Sequence, residues 1–209
     1  KKLEENPKNI EGTTNTENSA KENKDENIQN NQISNESEEN NMYSTGKHHA
    51  EIVVKNYGTI ALELDADVAP ITVENFANLV NEGFYNGLTF HRIISGFMIQ
   101  GGDPLGNGTG GSSKTIKGEF ASNGVKNSIS HVRGTISMAR SSMPNSASSQ
   151  FFIVHQDSTF LDGQYAAFGT VTSGMEVVDK ICADTAVEDD NGTVAKNNQP
   201  VIEKITIID

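Results

Sequence analysis

The sequence lacks features that would place it in several large classes of protein. It has a single cysteine, Cys182, so it cannot form a disulfide framework or a cysteine-based zinc site. No apolar run approaches the roughly 18 residues that cross a bilayer. The net charge of −12 indicates no nucleic acid partner, because neutralising phosphates takes an excess of Lys and Arg. Apolar neighbours at helical spacing indicate that Cys182 is a small buried hydrophobe rather than a nucleophile.

Residues 1–46 have little of what a packed core needs. Tyr43 is their only aromatic residue, and Asn, Glu, Lys, Ser and Thr make up most of the segment. Of the net charge of −12, a share of −7 belongs to residues 47–209. Because residues 1–46 cannot bury enough apolar surface to offset the entropy of ordering them, we predict two domains. These are a disordered polar tether over residues 1–46 and a folded domain over residues 47–209.

The chain begins without Met and shows no signal peptide. We interpret it as a mature or trimmed chain whose polar segment leads from a membrane anchor or a cell wall. This interpretation predicts an extracytoplasmic location, either secreted or surface-tethered, with a cytoplasmic location as the alternative. Nothing in the sequence indicates more than a monomer.

The folded part has the pattern of many short strands and only two helices. Pro70, Thr72 and Gly83 mark the start, the cap and the end of the first helix, and residues 174–182 form the second. The predicted strands cover residues 51–55, 59–64, 89–94, 97–100, 134–139, 150–154, 166–171 and 201–208. This pattern predicts a mainly β fold, a closed eight-stranded antiparallel β-barrel capped by the two helices.

Residues 90–103 combine chemically useful side chains with a strand–turn–strand pattern, and they read FHRIISGFMIQGGD. Arg92 is one of only three arginines in the chain, and it lies close to Phe97 and Met98. A charged fork beside an apolar surface suits an apolar ring whose flanking carbonyl needs hydrogen bonds. The alternative is that Arg92 forms a salt bridge while Phe97 and Met98 fill the core. Spacing alone does not decide between the two.

The same stretch closely resembles the cyclophilin signature, F-H-R-[IV]-I-x-x-F-M-[IV]-Q-G-G-D. Three further blocks follow in the family's order: GTISMA at residues 134–139, SQFFI at 149–153, and LDG with FG at 161–163 and 168–169. The resemblance extends over nearly all of residues 50–209. It implies a bacterial cyclophilin-type peptidyl-prolyl cis/trans isomerase without cofactor or metal. Such an enzyme accelerates rotation about X–Pro bonds in proline-containing polypeptides and assists their folding.

Carried over residue by residue, the resemblance implies a role for each member of the site. It makes Arg92 and Gln100 the catalytic residues. The residues that it implies for substrate binding are Phe97, Met98, Phe152 and Leu161 in the prolyl pocket, Gln150 beside Gln100 on the substrate backbone, Ala139 and Arg140 in the adjoining groove, and Phe160 and Tyr165 at the rim.

Two positions depart from the pattern that is common among eukaryotic cyclophilins. Phe160 stands where Trp is frequent, and Tyr165 stands where His is frequent. Since Phe160 lacks the indole N–H donor, we expect weak binding of cyclosporin-type cyclic peptides. Arg140 adds a second positive charge where many relatives are neutral. Either it favours acidic residues near the proline, or it faces solvent without a role.

Two other functions compete with the enzyme. One is a module that captures proline-containing loops without turnover, which the intact Arg92 disfavours. The other is a surface protein whose barrel is only a spacer. Residues 106–111 formally match G-x-G-x-x-G, but no helix pattern follows them, so we interpret them as a surface loop. Residues 184–198 are polar and are also expected to form a surface loop.

Overall fold

The computed structural model describes residues 41–209, which contain eight strands and two α-helices. The strands are β1 (Lys47–Val54), β2 (Gly58–Asp65), β3 (Phe90–Ile94), β4 (Met98–Gly101), β5 (Thr135–Met138), β6 (Phe151–Val154), β7 (Ala167–Ser173) and β8 (Ile202–Ile207). The helices are α1 (Pro70–Asn81) and α2 (Met175–Asp184). Residues 1–40 of the predicted tether lie outside the described residues.

The residues just before β1 pack against the folded domain. The ring of Tyr43 contacts the hydrophobic core, and its Oη accepts a hydrogen bond from Asn81 Nδ2 at 3.0 Å. The backbone N–H of Gly46 donates to Asp67 Oδ1 at 2.8 Å. The packed structure therefore begins upstream of residue 47, where the sequence analysis placed the start of the domain.

All eight strands belong to one antiparallel sheet, in the order β3-β4-β6-β5-β7-β2-β1-β8. The prediction of a mainly β fold with eight antiparallel strands and two helices is confirmed, but the prediction of a closed barrel is wrong. Within the described residues, β3 and β8 form no ladder, and the isolated bridge between Thr89 and Val201 is their nearest pairing. The sheet is therefore a curled half-barrel.

The sheet stays open because another segment already occupies the outer edge of β3. The N–H of Ile93 donates to the carbonyl of Gly192 at 2.8 Å, and the N–H of Val194 donates to the carbonyl of His91 at 3.0 Å. A strand edge has one row of donors and acceptors, so β8 cannot pair with the same residues. The chain that reaches from α2 to β8 thus covers the edge on which barrel closure would depend.

The main core lies where the sheet and the two helices meet. Alternate residues of β1 and β2 are fully buried, as period-2 patterning requires. Phe76 of α1 packs against the rings of Tyr85, Phe151 and Phe168, with ring centroids 5.2–5.7 Å apart. This aromatic cluster anchors α1 on the sheet.

Helix α1 begins at Pro70 as predicted, but Thr72 does not cap it. The side chain at the cap position forms no hydrogen bond. Instead, the buried carboxylate of Glu119 accepts the N–H of Ile71 at 3.1 Å and the N–H of Thr72 at 2.8 Å. The hydroxyl of Thr72 also donates to this carboxylate at 2.6 Å. A side chain 47 residues further along the chain therefore satisfies the free donors of the first turn.

Candidate active site

A cavity of about 830 Å³ brings together ten of the eleven residues that the sequence analysis assigned to the site. The exception, Gln150, lines a neighbouring cavity of about 220 Å³ that shares Gln100, Ala139 and Arg140 with the first. The predicted residues in the larger cavity are Arg92, Phe97, Met98, Gln100, Ala139, Arg140, Phe152, Phe160, Leu161 and Tyr165.

Strand register explains how residues distant in sequence reach one surface. Arg92 on β3 lies opposite Gln100 on β4, and Gln100 lies opposite Phe152 on β6. Residues at paired positions of neighbouring strands project from the same face of a sheet. The three side chains therefore share one face, with an amide between a cation and an aromatic ring.

An apolar slot beside this row forms a cluster separate from the main core. Met98, Phe152 and Leu161 are buried in it, and Phe97, Ala139 and Tyr165 pack around them. We call this group of six residues the apolar slot. Phe160 lies at its rim, 67% exposed, with its ring centroid 5.5 Å from that of Phe97.

The guanidinium of Arg92 is half-buried at the edge of the cavity, and neutral groups hold it in place. Its Nε donates to the backbone carbonyl of Asn191 at 2.8 Å, and Nη2 donates to Asn191 Oδ1 at 3.1 Å. Its Nη1 donates to Gln100 Oε1 at 3.2 Å. Burial lowers the pKa of Arg92, while Tyr165 and Asp189 act in the opposite direction. Arginine nevertheless stays charged in proteins.

No ion pair among residues 41–209 involves Arg92. The structure therefore contradicts the alternative interpretation, in which Arg92 forms a structural salt bridge. The positive charge faces a cavity, and no carboxylate of residues 41–209 lies within ion-pair distance of it. A substrate group that gains electron density beside it would be stabilised.

A relay of side-chain amides runs from Arg92 to the loop after β4. Gln100 accepts from Arg92 and donates through Nε2 to Gln150 Oε1 at 2.9 Å. Gln150 in turn donates to the carbonyl of Gly110 at 2.7 Å and to that of Gly108 at 3.2 Å. Each amide thus points its oxygen towards Arg92 and its nitrogen away from it.

Asp103 shapes the loop that receives this relay. Its buried carboxylate accepts the backbone N–H groups of Leu105, Asn107 and Gly108 at 2.6–3.1 Å. Burial opposes ionisation, but these hydrogen bonds outweigh it and lower the pKa of Asp103. Residues 106–111, which the sequence analysis interpreted as a surface loop and not as a dinucleotide-binding motif, therefore support the site through their backbone carbonyls.

Two residues of the cavity to which the sequence analysis gave no role in the site are Asn191 and His91. Asn191 lies in the polar segment before β8, which was expected only to form a surface loop, yet it is the main anchor of Arg92. His91 is 5% exposed, and neither of its ring nitrogens has a hydrogen-bond partner in the described part of the chain. Burial lowers the pKa of His91, which favours the neutral form of its ring.

The floor of the apolar slot rests on a second buried histidine. The ring of His131 stacks on Phe152 with centroids 6.0 Å apart. Its Nδ1 pairs with Asp162 Oδ1 at 2.8 Å, and its Nε2 pairs with Ser137 Oγ at 2.9 Å. Because Asp162 directly follows Leu161 in the chain, the contact between His131 and Asp162 connects Leu161 to Phe152, on which the His131 ring stacks.

No group of three or more His, Cys, Asp or Glu side chains within residues 41–209 is placed to hold a metal ion. No helix in this range has the length and apolar character to cross a membrane.

Comparison with known proteins agrees with this geometry. Residues 49–208 match the family model described as cyclophilin type peptidyl-prolyl cis-trans isomerase/CLD. The chain belongs to the cyclophilin-type peptidyl-prolyl cis/trans isomerases. The predicted family, activity and enzyme class are thereby confirmed. The protein is an isomerase that acts on X–Pro peptide bonds.

Both curated sequences and solved structures resemble this cyclophilin. A peptidyl-prolyl cis-trans isomerase of Helicobacter pylori is 51% identical over 128 residues, which are 60% of this chain and 76% of the relative. Isomerase B of Bacillus subtilis is 50% identical over 117 residues, 56% of this chain and 78% of the relative. A cyclophilin-type isomerase of Cryptosporidium parvum, solved in the presence of the dipeptide Ala-Pro, superposes with a TM-score of 0.68 at 32% identity. That match covers 77% of this chain and 99% of the other.

Proposed function

We propose that this cyclophilin binds a prolyl ring in the apolar slot and uses Arg92 to stabilise the twisted X–Pro bond. The observation that carries the proposal is a charged guanidinium, held by neutral acceptors, at the edge of an apolar slot. The related Cryptosporidium parvum structure with Ala-Pro supports a proline-containing ligand.

The barrier to be lowered is rotational. Resonance in the peptide bond opposes rotation by roughly 18–20 kcal/mol, and the uncatalysed exchange of X–Pro bonds takes tens to hundreds of seconds. When the bond is twisted by about 90°, resonance is lost and the prolyl nitrogen regains its lone pair. A hydrogen-bond donor near this nitrogen binds the twisted state better than either planar state.

Arg92 has donors left for this task. A guanidinium carries five N–H groups, and the contacts to Asn191 and Gln100 engage three of them. Since Arg92 lines the cavity, we assign the remaining two to a group bound there. Because no covalent bond breaks, the reaction needs no nucleophile or general base.

The two glutamines have different capacities for substrate. Gln100 keeps one amide N–H that is not used in the relay, so we assign it a hydrogen bond to the substrate backbone. Gln150 donates both of its N–H groups to loop carbonyls. It therefore has only a lone pair of its oxygen to offer, and its larger role is to hold Gln100.

Replacing Arg92 by Ala tests the proposal. Loss of one preorganised donor to a transition state costs about 10²–10³ in rate, and we expect a fall of that size in kcat/KM for an X–Pro peptide, measured by exchange NMR. Lys180→Ala, which removes an exposed cation on α2, is the control and should keep full activity. An unchanged rate in Arg92→Ala would refute the role. A wild type that binds the peptide without accelerating exchange would identify a binding module.

Weak binding of cyclosporin-type peptides and a monomeric state are further parts of the proposal. The exposed Phe160 supports the first, since its ring offers apolar area and no N–H donor. Light scattering at several concentrations would contradict the monomeric state if the measured mass exceeded that of one chain.

We also propose an extracytoplasmic location, supported by the polar, low-complexity composition of residues 1–46. Such a segment suits a solvated spacer between a surface and an enzyme. Protease added to intact cells should then degrade the protein. Full protection until the cells are lysed would place the protein in the cytoplasm.

A further inference from the structure

Arg140 lies in the wall of the cavity, directly after Ala139, with its guanidinium close to two aromatic rings. Its Cζ is 4.9 Å from the ring centroid of Phe120 and 4.7 Å from that of Tyr165. Phe120 is buried, whereas Tyr165 is partly exposed in the cavity. Contacts of a guanidinium with ring faces at this distance are attractive.

Backbone carbonyls take up the N–H groups of the same guanidinium. Nε and Nη2 both donate to the carbonyl of Gln164, at 3.1 and 2.7 Å. Nη1 donates to the carbonyl of Ser141 at 2.9 Å. No carboxylate within residues 41–209 forms an ion pair with Arg140. The side chain of Arg140 therefore does not extend into open solvent. Because each of its three nitrogens already donates to a backbone carbonyl, the guanidinium is not fully available to a ligand.

These contacts converge on one residue of the apolar slot. Arg140 touches the ring of Tyr165 and bonds the carbonyl of the residue before it, so it restrains both the side chain and the backbone at that point. The ring of Tyr165 in turn meets Phe152 edge-on, with centroids 5.9 Å apart at 84°. Only a planar fork can satisfy the carbonyl bidentately and stack on a ring at the same time, so lysine is a poor replacement.

We propose that Arg140 is a positioning residue, which holds Tyr165 against Phe152 and thereby sets the affinity of the slot for the prolyl ring. It does not act as a receptor for acidic residues of the substrate. This inference rests on the proposed function in one respect, the assignment of the apolar slot to the prolyl ring.

The first test is the kinetics of Arg140→Lys and Arg140→Ala. The slot contacts the ring in the planar and the twisted states alike, so a loosened wall should raise KM with little change in kcat. We expect a rise of about threefold to tenfold, the size that one or two cation–π contacts give. Peptides with Glu, Gln or Lys before the proline should show the same factor. A loss confined to the Glu peptide would overturn the proposal in favour of charge recognition.

The second test is a double-mutant cycle with Tyr165→Ala. If Arg140 acts through Tyr165, then Arg140→Ala should change KM much less in the Tyr165→Ala background than in the wild type. Equal factors in both backgrounds would show that Arg140 acts independently of Tyr165. Lys180→Ala is the matched control, because Lys180 lies over the ring of Tyr57 at 5.5 Å, and neither residue lines the cavity.

Aromatic NMR signals separate failure of this inference from failure of the proposed function. In Arg140→Lys, the ring signals of Tyr165 and Phe152 should shift while those of Tyr57 stay in place. Unmoved signals would overturn the positioning role, whatever the kinetics. Shifted signals combined with an Arg92→Ala variant of full activity would uphold the positioning role and refute the catalytic assignment.

Discussion

Glu119 provides the sharpest test of how the described structure is held together. Pro70 has no N–H, and Val73 donates to the carbonyl of residue 69 at 2.9 Å. Glu119 accepts the two remaining donors of the first turn, those of Ile71 and Thr72. The carboxylate also places negative charge at the positive end of the helix dipole. No other side chain among the described residues caps this end.

The expected cost of losing Glu119 follows from these contacts. Hydrogen bonds to a charged group contribute about 1.5–3 kcal/mol each, and Glu119 is only 2% exposed, so water cannot replace it easily. Glu119→Ala removes three such bonds, and we expect it to lower the free energy of unfolding by about 4–9 kcal/mol. Domains of this size are stable by only about 5–15 kcal/mol. Glu119→Ala should therefore be near the limit of folding.

Glu119→Gln is the more informative variant because it keeps the shape of the side chain. Whichever way the amide turns, its NH₂ group faces a backbone N–H of α1, and the charge is lost. We expect a loss of about 2 kcal/mol, seen as a midpoint of urea unfolding lower by about 1 M. Glu176→Gln is the control, since Glu176 is an exposed acid in the first turn of α2. Equal effects of the two variants would refute the buried-cap explanation.

Three further outcomes are expected. Burial lowers the pKa of both His91 and His131 below the ordinary 6.5, so the unfolded chain binds more protons. As the pH is lowered from about 6.5, the free energy of unfolding should therefore decrease, by up to ~1.4 kcal/mol per pH unit for each histidine. Urea titrations that give the same free energy of unfolding at each pH below 6.5 would contradict this. Phe160→Trp restores an indole N–H at the rim and should tighten cyclosporin binding in a calorimetric titration, whereas unchanged affinity would make this donor irrelevant. Asn191→Ala keeps the backbone carbonyl that accepts from Nε but removes Oδ1, and so frees one of the three bonded donors of Arg92. It should lower kcat/KM several-fold with the fold intact; full activity would show that Gln100 and the backbone carbonyl of residue 191 are enough to align Arg92.

Local patterns were sufficient to predict the strands and the two helices, but not the membership of the apolar slot. In the β3–β4 hairpin, the two-residue period and the short turn bring Arg92 opposite Gln100. These properties depend on residues close together in the chain, where propensity and turn chemistry decide the structure. The resemblance to the cyclophilins added the residues of more distant segments, such as Phe152 and Leu161.

Contacts that depend on tertiary packing could not be predicted. Glu119 caps a helix 47 residues upstream, and nothing near Thr72 in sequence signals this. The closed barrel was a reasonable expectation from eight strands, but closure depends on the edge of β3, which residues 192–194 occupy. Asn191 was overlooked for the same reason. A polar residue in a polar loop has no distinguishing pattern until the fold places it beside Arg92.

If Arg92 stabilises the twisted X–Pro bond as we propose, the network behind it explains why one arginine is enough for catalysis. A free arginine side chain loses about 2 kcal/mol of rotamer entropy when it is fixed, and a mobile guanidinium would lose it on reaching the transition state. Here Asn191 and Gln100 fix it from two sides, and Gln100 is itself held by Gln150, which donates to carbonyls of the loop that Asp103 shapes. The entropy is therefore lost on folding, before substrate arrives. Because the anchors are neutral amides and carbonyls, they orient the charge without cancelling it, whereas a carboxylate in their place would weaken the field at the prolyl nitrogen.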